Sequence, residues 1–298
     1  MRRITRMAAL ALALWCTASI AGSSTSWPPV PALNDPATGE HLRGKFIFAD
    51  FFTSDIEASK RFYGSLFDWE WRWESPDRSY GIFYQGNIAV AGVVLQESTD
   101  TDRPYGRWIY YLSTDQVPKK VADIVASGGR VLLEPRSMPD RGTLAVVADP
   151  EGALFGLLDS SSGDPADYRS APGEWLWVSL YSQDVEGASR FYQSQFGYEI
   201  TEAYDSGDEL DFFLSKGGFA RAAISHLSAE SGSHPTWVGY VQVDDVAASV
   251  ARAVDLGGEV LLGPDPAVLA GNLAIVSDPI GAPIALIHWT YDDPEAAQ

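Results

Sequence analysis

The stretch Ser54-Asp-Ile-Glu-Ala-Ser-Lys-Arg-Phe-Tyr-Gly-Ser-Leu-Phe67 sets the reading of the whole chain. It returns, altered, as Gln183-Asp-Val-Glu-Gly-Ala-Ser-Arg-Phe-Tyr-Gln-Ser-Gln-Phe196. Asp55, Glu57, Arg61, Phe62, Tyr63, Ser65 and Phe67 are answered by Asp184, Glu186, Arg190, Phe191, Tyr192, Ser194 and Phe196, a constant displacement (191 − 62 = 129). Ala58, Phe62 and Leu66 fall at i, i+4 and i+8, with Tyr63 and Phe67 widening the stripe, so a helix with one apolar face is expected. Ser54-x-x-Glu57 fits a capping box at its start. The aromatics on that face read first as core packing.

On either side of the helix the pattern changes to strands. Lys45 to Phe52 is β-prone and apolar on both faces, a well-buried strand. Further strand-like runs lie near Trp69 to Trp73, Tyr80 to Tyr84 and Ile88 to Leu95, which makes a β-α-β-β-β unit. After an acidic linker, Glu97 to Arg103, the pattern recurs. Arg107 to Leu112 reads as its first strand and Asp115 to Ser127 as its helix, with Pro118 in the first turn and Gly128-Gly129 as the stop. Three strands follow, at Val131 to Leu133, Thr143 to Ala148 and Ala153 to Leu158. From Glu174 everything repeats at the same displacement, with Trp108 recurring as Trp237, Leu144 as Leu273, and Asp149-Pro150 as Asp278-Pro279.

The expected fold class is therefore α+β, with four βαβββ modules in two tandem domains, 44–160 and 174–290. A polar linker, 161–173, begins within the Ser160-Ser-Ser-Gly163 run, and a short tail occupies 291–298. Pairing of the first module with the second and the third with the fourth is the default. Pairing of first with fourth is left open.

The chain has 298 residues, enough for two ordinary domains, and 46% hydrophobic residues suffice for their cores. Residues 1–21 read as an export signal: a basic start, an apolar run from Met7 to Ile20, and Ser19-Ile-Ala21 as the cleavage site. The run is too short for a comfortable membrane span, so no span is expected in the mature chain. Residues 22–43 form an extended, Pro-containing lead-in. Lipid anchoring at Cys16 is disfavoured because bulky Trp15 stands where a lipobox has a small residue. Cleavage after Ala21 would remove the only cysteine together with Arg2, Arg3 and Arg6, taking the formal charge from −19 to −22 (−19 − 3). A surface so acidic repels phosphate backbones, which argues against nucleic acid as a partner. Homo-oligomerisation is left open.

With these motifs on the page, the chain resembles the glyoxalase/bleomycin-resistance/extradiol-dioxygenase group, the vicinal oxygen chelate superfamily, and within it the two-repeat hydroxylase-like and glyoxalase-like proteins. The resemblance rests on the two Asp-x-x-x-(Ala/Ser)-x-x-Phe-Tyr-x-x-x-Phe helices. It rests also on Gly-Gly-x-Val-Leu-Leu at Gly128 to Leu133 and Gly257 to Leu262, and on Asp-Pro-x-Gly-Ala at Asp149 to Ala153 and Asp278 to Ala282. It implies sheets curled into cups. In metal-dependent members it also implies ligands on the first and last strands of each module. The first-strand ligand lies seven residues before the Asp that opens the helix, which here gives Phe48, Trp108, Trp177 and Trp237. The last-strand positions fall at Gly92, Gly156, Ala223 and Ala285. None of these side chains can hold a divalent ion, so neither metal nor other cofactor is expected.

The cups implied by the resemblance would then be lined by rings suited to a flat or apolar molecule. Ligand-binding candidates are Phe48, Asp50, Phe52, Trp108, Tyr110, Trp177, Ser179, Arg221 and Trp237. The alternative for the Trp side chains is that they simply fill the core. Asp50 is the one catalytic candidate, because a carboxylate in an apolar strand has a raised pKa and can act as a base or anchor a cation. Its alternative is a structural hydrogen bond to backbone. Asp55, Asp115, Asp184 and Asp244 read as helix caps. Three functions are carried forward: an exported, metal-free binder of a small aromatic or apolar molecule, a metal-dependent lyase or dioxygenase, and a non-catalytic scaffold.

Overall fold

A computed structural model describes residues 30–96, 105–204, 210–228 and 232–291. The export signal, Cys16, the linker from Glu97 to Arg103, the acidic cluster of Asp205, Asp208 and Glu209, which the sequence alone reads as solvated surface, and most of the tail lie outside these residues. The first half runs β1 (Phe46–Thr53), α1 (Ile56–Phe67), β2 (Glu70–Trp73), β3 (Tyr80–Gln85), β4 (Ile88–Leu95), β5 (Gly106–Ser113), α2 (Val117–Ala126), β6 (Arg130–Met138), β7 (Gly142–Ala148) and β8 (Leu154–Ser160). The second half repeats it as β9 (Trp175–Ser182), α3 (Val185–Phe196), β10 (Glu199–Tyr204), β11 (Leu210–Lys216) and β12 (Phe219–His226), then β13 (Thr236–Gln242), α4 (Val246–Asp255), β14 (Glu259–Leu262), β15 (Leu273–Ser277) and β16 (Pro283–Ile287).

Each half builds one mixed eight-stranded sheet, in the orders β2-β3-β4-β1-β5-β8-β7-β6 and β10-β11-β12-β9-β13-β16-β15-β14. First and second modules thus share a sheet through β1 and β5, and third and fourth through β9 and β13. Both sheets are open arrays and do not show the curl that the resemblance implied. Their inner faces meet directly where β5 lies against β13, and the helices pack around that meeting line. A Cβ on Gly239 would stand 2.5 Å from both the Trp175 and the Tyr110 rings, so only glycine allows this approach. Gly239→Val should therefore lower stability by about 2 kcal/mol through overpacking, as read by chemical denaturation.

The apolar stripe of α1 is buried as Ile56, Phe62, Tyr63, Leu66 and Phe67. Asp55, not Ser54, caps it, accepting from Ala58 N at 2.9 Å, while Ser54 Oγ accepts from Tyr105 N. Asp184 caps α3 in the same way at Gly187 N. The second modules depart from expectation by one residue. The N-cap of α2 is Gln116, in the left-handed region at φ 53° and without a side-chain cap, while Asp115 instead pairs with Arg43 at 2.9 Å. The cap of α4 is Asp245, not Asp244, through a 2.9 Å bond from Ala248 N.

Two matching locks hold the halves together. Tyr63 Oη donates to Asp278 Oδ2 of the other half and accepts from Trp108 Nε1 of its own, both at 3.0 Å. Tyr192 Oη makes the equivalent bonds with Asp149 Oδ2 and Trp237 Nε1, also at 3.0 Å. In this way the recurring Tyr, Trp and Asp-Pro signals of the two repeats meet across the inner faces.

Candidate functional site

The register of β1 against β5 decides which side chains reach the outer face. Phe51 lies opposite Trp108 and Asp50 opposite Ile109, and directly paired residues share a face. Phe48, Asp50 and Phe52 therefore point outward with Ile109 and Tyr111, whereas Trp108 and Tyr110 belong to the inner core beside Tyr63 and Trp175. In the second half Trp237 is inward as well, against Tyr192 at 5.2 Å, while Trp177 and Ser179 are outward. Trp108, Tyr110 and Trp237 are thus core residues and not pocket walls. The cause is the one-residue shift of the second-module caps: counting seven back from Gln116 and Asp245 gives Ile109 and Val238.

The donor test can be repeated at these corrected positions. On the first outer face they are Phe48, Ile109, Gly92 and Gly156, and on the second Trp177, Val238, Ala223 and Ala285. None offers oxygen, imidazole or sulfur, so the side chains present do not fit the divalent ion of metal-dependent relatives. Among the described residues no group of three His, Cys, Asp or Glu side chains converges on a point. His288 Nδ1 lies 3.0 Å from the carbonyl of Val243, and the backbone N–H of His226 donates to Asp211 Oδ1 at 3.0 Å.

What the first outer face does hold is a buried polar cluster. Asp50 is 8% exposed, and Tyr80 Oη donates to its Oδ1 at 3.4 Å, with the Tyr111 hydroxyl as a second source. Gly92 makes the space: a Cβ there would lie 2.0 Å from Asp50 Oδ1. Burial pushes the Asp50 carboxyl up, and the Arg141 guanidinium and the two phenols partly offset this. Burial also raises both phenols well above their usual range. Arg141 is 2% exposed, donates from Nε to Pro31 O at 2.7 Å, and lies 4.2 Å over the Phe48 ring. A cavity of about 30 Å³ remains among these groups. This is room for one water and not for an organic molecule.

That cavity is small because the lead-in crosses it. Val30 packs on Tyr80 and Ile82, and Leu33 joins the outer-face cluster. The strap is tied down along its length: Thr38 N donates to Ser162 O at 2.8 Å, Asn34 Nδ2 to Gly163 O at 2.7 Å, and Leu42 N to Asp164 Oδ2 at 2.5 Å. The Ser160 to Gly163 run, read as linker, is therefore the dock for the strap. Sequence reasoning missed Arg141 because it sits in a turn that reads as solvated. The repeat carried a signal, since the displacement of 129 sets Ser179 against Asp50 and Ala270 against Arg141 (141 + 129 = 270). The buried charge and its counter-charge both occur in the first copy alone.

Next to the cluster, and sharing Phe48 with it, opens a cleft of about 640 Å³ between the two halves. The starts of β1 and β9 supply Phe46, Phe48, Trp175 and Trp177, the β3–β4 hairpin supplies Tyr84, and the strap and linker close the remaining sides. Arg221, expected to face the second cup, instead reaches this cleft from β12. Phe48, Trp177 and Arg221 are thus brought together. Ser179 stays on the second outer face, 3.1 Å from Trp177 Nε1.

The comparisons with known proteins agree with this layout. The family model described as Glyoxalase/Bleomycin resistance protein/Dioxygenase superfamily matches residues 45–157 and again 175–286. The anthracycline biosynthesis protein DnrV of Streptomyces peucetius is 29% identical over 261 residues, covering 83% of this chain and 94% of that protein. CFP32 of Mycobacterium tuberculosis, whose name carries a provisional glyoxylase assignment, is 26% identical over 250 residues, with 83% and 95% coverage. Among solved structures, the Mn(II)-bound glyoxalase of Novosphingobium aromaticivorans shares the fold at TM-score 0.57 and 19% identity, covering 83% of this chain and 82% of that one. With two matched domains spanning most of its length and the same module order in three dimensions, this chain belongs to the glyoxalase/bleomycin resistance protein/dioxygenase superfamily.

Proposed function

We propose that this protein binds a small aromatic molecule in the cleft between its halves, without a metal, and does so after export from the cytoplasm. The observation carrying this reading is the cleft itself: about 640 Å³, the size of a drug-sized ligand site, with Trp175, Trp177, Phe46 and Tyr84 in its walls. Trp and Tyr faces favour flat, fused rings. The likeness to DnrV, named for the biosynthesis of polycyclic anthracyclines, supports the same ligand class. Export is supported by the basic and apolar start of the chain, and among the described residues no helix is long and apolar enough to cross a membrane. Asp50, sealed under the strap with its two phenols, is a candidate proton acceptor only for a ligand that displaces Val30.

The probe is anthraquinone-2-carboxamide, a neutral fused-ring compound, titrated by quenching of tryptophan fluorescence. Saturable quenching is expected, with no loss after dialysis against a chelator. Trp177→Ala should weaken binding about tenfold, the value of one stacking platform. Absence of saturable quenching, or binding that requires an added divalent ion, overturns the reading.

A further inference from the structure

Two cations stand in the cleft wall, one from each half. Lys45, just before β1, has its side chain 14% exposed, and Arg221, on β12, 9%. Both are held by one oxygen of one linker residue: Lys45 Nζ lies 2.9 Å and Arg221 NH1 2.6 Å from Asp167 Oδ1. Although partial burial pushes the other way, the bonds from Arg221 and Lys45 keep the Asp167 carboxyl below its usual range.

Asp167 is a poor candidate for a permanent part of the wall. It lies in an irregular stretch whose residues 166–169 are exposed. The firm anchors stand outside that stretch. On one side Asp164, 0% exposed, accepts from Leu42 N and from Ser113 Oγ at 2.6 Å. On the other, Ser170 Oγ donates to Trp175 O at 2.7 Å and its backbone N–H donates to Tyr291 Oη at 2.8 Å. Between the anchors the chain is tied to the cations by the Asp167 side chain and by the Pro165 carbonyl, which accepts from Lys45 Nζ at 2.6 Å. The contact to Arg221 uses NH1 alone, whereas a free carboxylate can take a guanidinium by two parallel bonds. The other acidic residue lining the cleft, Asp35, is exposed on the strap.

We propose that the aromatic ligand of this cleft carries an acidic group, and that Lys45 and Arg221 bind it in the place Asp167 now occupies. Asp167 is then an internal competitor, a stand-in carboxylate that keeps two buried cations paired while the cleft is empty and swings out when a better anion enters. This inference rests on the cleft being the ligand site.

The experiment compares anthraquinone-2-carboxylate with the carboxamide on the full chain, with Asp167→Asn, and with Lys45→Met or Arg221→Met in the Asp167→Asn background. Asp167→Asn is expected to tighten the acid about tenfold and to change the amide less than twofold. Lys45→Met should then return the acid to the affinity of the amide. Arg221→Met should do the same, and because Arg221 is the more buried, Lys45→Met keeps the test decisive if the other variant unfolds. Equal affinity of acid and amide in Asp167→Asn overturns this inference and leaves the aromatic cleft standing, as does an acid preference that survives Lys45→Met. Failure of the amide to bind the unaltered protein removes both.

Discussion

Arg141→Met is expected to destabilise the protein by about 3 kcal/mol near neutral pH, the largest effect anticipated for a single side chain. Arg141 and Asp50 are 2% and 8% exposed in the same small cavity, and the guanidinium is the main group offsetting the burial of the carboxyl. Removing one member of such a pair leaves the other charge stranded, which is costlier than the pair is favourable. The loss should depend on pH in one direction. With its counter-charge gone, the folded-state pKa of Asp50 rises further above its unfolded value. The penalty is absent below the unfolded value and grows as pH rises through the folded one. Denaturant titrations at pH 4 and pH 8 read this directly, with the larger loss at pH 8. Adding Asp50→Asn should recover most of the stability at pH 8. A loss equal at both pH values, or a double variant no better than the single one, would show that Arg141 acts only by packing on Phe48.

The inter-half locks lead to the second prediction. The Asp149 carboxyl is raised to about 6 by burial, against which the N–H of Ala153, the hydroxyl of Tyr192 and the N–H of Gly152 act. Asp278, in the matching lock, is raised for the same first reason. Between the ordinary carboxyl value of 3.8 and about 6, the folded protein keeps a proton at Asp149 that the unfolded chain has released. Folding stability from this group is therefore full below that window and falls as pH climbs through it, by about 3 kcal/mol in total. Asp149→Asn mimics the protonated carboxyl: its Oδ1 still accepts from Gly152 and Ala153 N–H, which now reach Asp149 Oδ1 at 2.9 Å, while the amide nitrogen in place of Oδ2 donates to Tyr192 Oη, reversing that bond. The variant should lose the share of the decline between pH 4 and pH 6 that Asp149 causes, keep the share from Asp278, and match or exceed the unaltered protein at pH 7. A decline that persists unchanged in Asp149→Asn would place its origin elsewhere.

Both predictions turn on residues that the sequence treats unequally. Tyr63, Trp108, Asp149 and their repeats stand out as recurring signals, yet their recurrence says only that they matter. The Asp partner of each Tyr lies in the other half of the molecule, 215 residues away for Tyr63 and Asp278. Reading Trp108 and Trp237 as pocket walls failed on a single residue of register. A one-residue slip in a strand sends every side chain to the opposite face, and the slip came from Gln116 and Asp245 taking the caps expected at Asp115 and Asp244. Phe48, Asp50, Phe52, Trp177 and Ser179, counted from the caps Asp55 and Asp184 that the first modules do use, share the outer faces, while Trp108, Tyr110 and Trp237 fall on the inner ones.

Taken alone, the amino-acid order determined the duplication, the four βαβββ modules and the α+β class. Those are local properties, since periodicity, turn chemistry and residue type act over a few positions of the chain. Only the folded molecule decided that Asp50 and Arg141 line one small cavity, that residues 30–43 strap the first outer face, and that Lys45 and Arg221 share one carboxylate in a cleft between the halves. Each of those depends on strand register and on how two sheets face each other, and such long-range pairings leave no periodic trace in the sequence.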